Sequence, residues 1–262
     1  MDATLQNLSP FGVEVAGMQV SEAADRDISS LKQLLAENGV VILRNQSIDD
    51  AEFVSFLKRL GDLMFTAGEK PVPHQPWLNL VSNVGRDRTP RSVFHTDTSY
   101  VVKPPAYTAL KAILLPECGG ETLFSNQYCA FETLPTQVKE KLSNATVLHL
   151  ASGVKLDADQ ESQAWHPLFQ RHPVSGKTAL FLSTPERCQV IQGLTLAESQ
   201  RAIRLLYKHS IRPRRLYRHD WQNGDIVIWD NRCTMHRADH AKVIGDRVLH
   251  RGLVASEMGD KT

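Results

Sequence analysis

Long apolar runs are missing from this 262-residue chain; a run such as Val40-Val41-Ile42-Leu43 is far short of the roughly 20 residues that cross a bilayer. Cysteine is scarce. Cys118, Cys129, Cys188 and Cys233 form no CxxC pair, and a chain of this size buries a core without staples, so reduced structural thiols are expected and a disulfide miniprotein is excluded. An excess of either charge is also absent. Thirty Lys and Arg against 29 Asp and Glu leave a formal +1, so no overall field draws the protein to nucleic acid or anionic lipid, and a charged ligand must be held locally. The opening MDATLQNLSP has neither a basic start nor an apolar stretch, and a cytoplasmic protein with no membrane partner is the expectation. No Ser/Gly-rich linker, shift of composition or internal repeat divides the sequence, which reads as one domain over 1–262. With 42% hydrophobic and 23% charged residues, disorder and fibrous repeats are excluded as well.

What is present is a mixed first third followed by short β signals. The spacing predicts an extended stretch over 12–20, a helix over 27–37, a strand over 40–43 and a helix over 48–60, where Phe53, Phe56, Leu57 and Leu60 recur at helical intervals. Strands are then expected over 78–81, 107–115, 121–125, 145–150, 179–182, 214–219, 225–229 and 247–255, with helical inserts over 135–142 and 197–209. Ser175-Gly176, Asn223-Gly224 and Asp230-Asn231 read as hairpin turns. The fold class is therefore mainly β with helical decoration (α+β), in a sandwich or jelly roll.

Three regions carry candidate chemistry. In Phe94-His95-Thr96-Asp97-Thr98-Ser99, His95 and Asp97 stand two apart, so an extended chain sends an imidazole and a carboxylate to one side. The pattern is common by chance and suits a solvated pair as well as a metal site. In the segment from Gly224 to Arg237, a strand and tight turn lead to His236, a candidate third ligand, with His240 as a competitor. Two His and one carboxylate leave half of an octahedral sphere open, the set suited to non-haem Fe(II) and oxygen. Lastly, alternation over 247–253 puts Arg247, Leu249, Arg251 and Leu253 on one face. Either both arginines lie in water on an edge strand, or an inward Arg251 offers its planar fork to a carboxylate. Gly119-Gly120-Glu121-Thr122 adds a turn and a hydroxyl for the same ligand.

Taken together, HTDTSY, PPAYTALKAILLPECGGETLFSNQYCAFETLP, HPVSGKTALF, GDIVIWDNRCTMHRA and RVLHRG resemble the taurine dioxygenase and phenoxyalkanoate dioxygenase (TauD/TfdA) superfamily, over residues 10 to about 254. The resemblance implies a double-stranded β-helix (jelly roll, cupin-like) and an Fe(II)- and 2-oxoglutarate-dependent dioxygenase. Such an enzyme hydroxylates a small molecule with O2 while 2-oxoglutarate becomes succinate and CO2; cleavage of a C–O, C–S or C–N bond or desaturation can follow. It implies His95, Asp97 and His236 as iron ligands, and Thr122 and Arg251 as holders of 2-oxoglutarate, with Arg247 assisting at the same carboxylate. Since relatives that transfer halide keep a small residue at the position of Asp97, hydroxylation is implied here. Relatives form dimers or tetramers, and a homo-oligomer is left open. A zinc or other cupin-like metallohydrolase and a non-catalytic jelly-roll binding protein are the competing readings.

For the substrate the resemblance thins. Thr66 falls where taurine enzymes carry a histidine, and Arg91 where they carry an asparagine, so taurine itself is not expected. Arg86, Arg88 and Arg91 make a basic patch ahead of His95, and Tyr100, Val101, Val102 and Phe181 are candidates for an apolar wall. A small organic acid with an apolar body is the expected substrate, read through Thr66, Arg91, Tyr100, Val102 and Phe181. The polar stretch 152–162 is a candidate lid. His74, His149, His166, His172, His209, His219 and His250 are expected to be structural or surface residues, and Trp165 and Trp229 to be packing residues.

Overall fold

The structure, a computed structural model, describes residues 3–85 and 92–255. Two mainly antiparallel sheets face one another across a buried apolar layer. The larger has its centre in Val40–Leu43, Ile226–Asp230, Pro105–Leu114, Val248–Ala255 and Gln75–Ser82, in that order across the sheet. The smaller runs Leu216–His219, Thr122–Asn126, Thr234–Ala238. This is the expected jelly roll.

The period of two along each strand divides the core. Val40 and Ile42 join Val227, Trp229, Leu110 and Leu249 against Phe124 of the smaller sheet. Their neighbours Val41, Leu43, Ile226 and Ile228 turn to the outer face, where the helices Asp25–Asn38 and Asp50–Leu60 cover them with Leu31, Leu35, Phe53 and Leu57. The second helix begins where the sequence signals a start: the Asp49 carboxylate accepts from the Glu52 amide, and Glu52 accepts from the Asp49 amide. The inserts also form, as Thr136–Lys141 and Leu196–Ser210, the latter capped by Thr195 and Glu198. Of the three expected hairpins, Ser175-Gly176 joins the paired strands Phe169–Arg171 and Thr178–Leu180. The other two are turns but not hairpins. Asn223-Gly224 and Asp230-Asn231 carry the chain between the two sheets, because the strands they join pair with other partners. Residues 214–215 belong to a 3-10 turn (Pro213–Arg215) rather than to the strand. The helix Gln127–Glu132 and the strands Gln163–Pro167 and Cys188–Ile191 were not anticipated.

Most of the remaining histidines are structural, as expected. His172 bonds Asp230, His219 bonds Asp225 and His250 bonds Asp50, each at 2.9–3.0 Å, while His166 and His209 meet the Ser99 and Ala130 carbonyls. Trp229 is fully buried packing, whereas Trp165 is half exposed. Among the described residues no helix is long and apolar enough to cross a membrane.

Candidate active site

His95 and His236 sit opposite one another on converging segments, each amide donating to the other's carbonyl at 2.9 Å. That reciprocal pair of hydrogen bonds fixes the register and brings the two rings to 4.4 Å between centroids. Two residues on, Asp97 returns to the same side, with Oδ1 3.5 Å from His95 Nε2 and Oδ2 3.9 Å from His236 Nε2. One ligand atom from each of the three lies within 4.8 Å of the others, and His240 is not part of the group.

Asp97 is aimed by a relay that sequence reasoning missed. Thr108 Oγ1 donates to Asp97 Oδ2 at 2.9 Å, Asn231 Nδ2 donates to Thr108 Oγ1 at 2.8 Å, and Trp229 Nε1 donates to Asn231 Oδ1 at 3.0 Å. Trp229 also lies against the His236 ring, with centroids 4.4 Å apart. The only sequence signal was the exposure-averse pairing of polar Thr108 and Asn231 with apolar strands, since a buried hydroxyl or amide needs a partner.

The electrostatics suit a cation held by three groups. Burial holds His236 down to about 3, so its imidazole is neutral at physiological pH, as a metal ligand must be. Burial pushes the Asp97 carboxyl up, but His236, the Arg251 guanidinium and His95 outweigh it, and the group lies well below the usual carboxylate range. His95 Nδ1 is 3.0 Å from the Val93 carbonyl, a contact that orients the ring with Nε2 toward Asp97. Two imidazoles and a buried carboxylate, with one edge of His95 open to solvent, fit a divalent iron with free coordination positions.

The two arginines of Val248–Ala255 and its leading residue were expected to share one carboxylate, with Thr122 beside Arg251. They are instead in different places. Arg247 is buried next to Thr122: Nε donates to the Gly120 carbonyl at 2.8 Å, and Nη2 lies 3.5 Å from Thr122 Oγ1, with the guanidinium over Trp221. Gly120 has φ +82°, and a Cβ there would come within 2.9 Å of Arg247 Cδ, so glycine is what lets the side chain cross the turn. Arg251 borders the metal cluster itself. Its Nη1 is 3.6 Å from Asp97 Oδ1, and its Nη2 is 2.5 Å from Glu69 Oε2 and 3.3 Å from Thr66 Oγ1.

Thr66 is buried and also meets Thr98 Oγ1 at 3.3 Å. Tyr100 is buried in the field of Arg251, Asp97 and Glu69, and burial raises its hydroxyl. Val102 forms no wall: it is 65% exposed, because Thr98 at φ +44° breaks the extended run and residues 97–100 turn. Its amide donates to Glu161 Oε2 instead. Phe181 is enclosed by the rings of His149 and His166, each 5.3 Å away, and is core at the back of the 97–100 turn. Arg86, Arg88 and Arg91 lie outside the described residues.

The family model for "Taurine catabolism dioxygenase TauD, TfdA family" matches residues 4–253. This chain belongs to that family. It is an Fe(II)- and 2-oxoglutarate-dependent dioxygenase, which sets aside both the metallohydrolase and the non-catalytic alternatives. It is 28% identical to an alpha-ketoglutarate-dependent 2,4-dichlorophenoxyacetate dioxygenase of Burkholderia sp. (strain RASC), covering 86% of this chain and 84% of that one. It is 27% identical to an alpha-ketoglutarate-dependent sulfate ester dioxygenase of Pseudomonas putida, covering 95% and 87%. The crystal structure of a taurine dioxygenase from Burkholderia xenovorans superposes with a TM-score of 0.85 at 27% identity, over 98% of this chain and 92% of that one.

Proposed function

We propose that the dioxygenase oxidises a small organic anion, with the two buried arginines dividing the work. His95, Asp97 and His236 would hold Fe(II), which when bound supplies the site for 2-oxoglutarate chelation and oxygen activation. Arg247 and Thr122 receive the distal carboxylate of 2-oxoglutarate. Arg251 and Thr66 receive the acidic head of the substrate, close to the reacting centre.

The observation that carries this reading is the difference in counter-charge. Among the described residues no carboxylate is in ion-pair contact with Arg247. Burial pulls its guanidinium down to about 10, opposed only by Glu121. A buried cation in neutral surroundings calls for an anion, and a guanidinium fork with an adjacent hydroxyl matches a carboxylate. Thr122 Oγ1 already accepts from Trp221 Nε1 at 3.1 Å, which leaves its own proton for a ligand oxygen. Arg251, by contrast, faces the open side of the metal cluster, where Thr66, Thr98 and Tyr100 make a polar corner. Its Nε is buried with no hydrogen-bond partner among the described residues. An anion bound there has its nearest carbon placed against the cluster, while the surrounding buried surface keeps water away from the oxidising centre.

The relatives named above act on phenoxyacetates and sulfate esters, so these classes and sulfonates head the substrate panel. The test is succinate release with Fe(II), 2-oxoglutarate and O2 against matched anionic and neutral compounds. Turnover restricted to the anions supports the reading; equal turnover of carboxylates and their amides would sink it.

A further inference from the structure

Thr66, Ala67, Gly68 and Glu69 form one tight turn, closed by the Glu69 amide on the Thr66 carbonyl at 3.3 Å, with Gly68 at φ +77°. The two ends of this turn grip the same atom. Thr66 Oγ1 and Glu69 Oε2 lie 3.3 and 2.5 Å from Arg251 Nη2. The turn is itself pinned: a Cβ on Gly68 would come within 2.6 Å of the Lys155 carbonyl, so the turn presses directly on the 152–162 loop. That loop sends a second carboxylate, Glu161, to the Val102 amide. Arg251 is thus already neutralised by an acid of the chain's own, one that reaches in from the mouth with its side chain about one-third exposed. Asp97 also lies 3.6 Å from Arg251 Nη1, but its oxygens are held by Thr108 and face His95 and His236, so Glu69 is the partner free to leave.

We propose that Glu69 is a built-in competitor for the substrate's acidic group: its carboxylate occupies Arg251 in the resting enzyme and an incoming anion displaces it. This rests on the reading of Arg251 as the substrate's anion seat. Selectivity follows from the exchange. A neutral molecule gains nothing by displacing Glu69, because it would break the 2.5 Å ion pair on Arg251 Nη2 and put no charge in its place. An anion that fits the guanidinium and the Thr66 hydroxyl together replaces one ion pair with another and frees Glu69 to swing out to water. The turn and the 152–162 loop touch, so the same exchange loosens the packing at the mouth.

The experiment uses the anaerobic holoenzyme with Fe(II) and 2-oxoglutarate, titrated at constant ionic strength with inorganic sulfate, which makes no demand of shape beyond charge and oxygens. Binding is read by calorimetry and by perturbation of the visible charge-transfer band. Glu69→Gln and Glu69→Ala are both expected to bind sulfate about tenfold tighter than wild type, the gain of removing a competing charged hydrogen bond. Dimethyl sulfone, tetrahedral and uncharged, is expected to show no such gain. Adding Arg251→Gln to Glu69→Gln is expected to erase it. Sulfate affinity that is unchanged or weaker in both Glu69 variants overturns the proposal, as does a gain that survives Arg251→Gln. The two levels separate cleanly. Sulfate binding lost in Arg251→Gln yet unmoved by the Glu69 variants removes only the competitor, whereas binding indifferent to Arg251→Gln in every background removes the anion seat itself.

Discussion

Arg247 and Arg251 lie four residues apart, about 13 Å along an extended chain, the first buried and the second with a side chain only 12% exposed, yet their surroundings are opposite. Around Arg247 the partners are neutral: a carbonyl, a hydroxyl and an indole. Burial wins there and draws the guanidinium down. Around Arg251 burial pulls the same way, but Asp97 and Glu69 outweigh it and hold the group above its ordinary value. A cation short of negative charge and one supplied with it, on one strand, are suited to different ligands. On the reading proposed above, the first receives the dianionic cosubstrate present in every cycle. On the same reading the second is kept charged and paired with Glu69 until an anionic substrate replaces it.

The sharpest way to break this comparison is to remove the buried carboxylate beside Arg251. Asp97→Ala is expected to abolish iron binding and measurable succinate formation, checked by metal content per chain and by product analysis. Arg247→Ala comes next. Truncating a buried charged partner costs about 2–5 kcal/mol, so the Kd for 2-oxoglutarate should rise at least about thirtyfold in an anaerobic titration. Arg251→Gln should weaken binding of an anionic substrate by about ten- to a hundredfold, the worth of a charged hydrogen bond, while moving 2-oxoglutarate affinity much less. The smallest effects distinguish the hydroxyls. Thr122→Val should raise the Kd for the keto acid and Thr66→Val that for the substrate, each by about fivefold, or roughly 1 kcal/mol, with little crossing over.

Much of this was legible in the sequence, and the limits are physical. His95 and Asp97 could be paired because alternation in an extended segment is a local rule, and it holds up to Asp97. It fails at Thr98, whose left-handed backbone turns the chain and leaves Val102 exposed. The same alternation put Arg247 and Arg251 on one face, but could not tell that their tips reach different neighbours. Those neighbours, Gly120 and Thr122 on one side and Thr66 and Glu69 on the other, are more than 120 residues away in the chain. Thr108 and Asn231 escaped notice because each looks like an ordinary strand or turn residue until the fold brings them 2.8 Å apart beneath Asp97. Likewise Asn223-Gly224 and Asp230-Asn231 carry turn chemistry, and only the pairing of distant strands shows that they join two sheets rather than close hairpins.

The most direct test of the division between the arginines is an anaerobic titration of Fe(II)-loaded protein with 2-oxoglutarate, following the visible charge-transfer band in wild type, Arg247→Ala and Arg251→Ala. The expected result is a band that forms in wild type and in Arg251→Ala at comparable keto-acid concentrations, and that requires far higher concentrations, or fails to form, in Arg247→Ala. A band that survives Arg247→Ala unchanged but disappears with Arg251→Ala would contradict the division and return 2-oxoglutarate to Arg251.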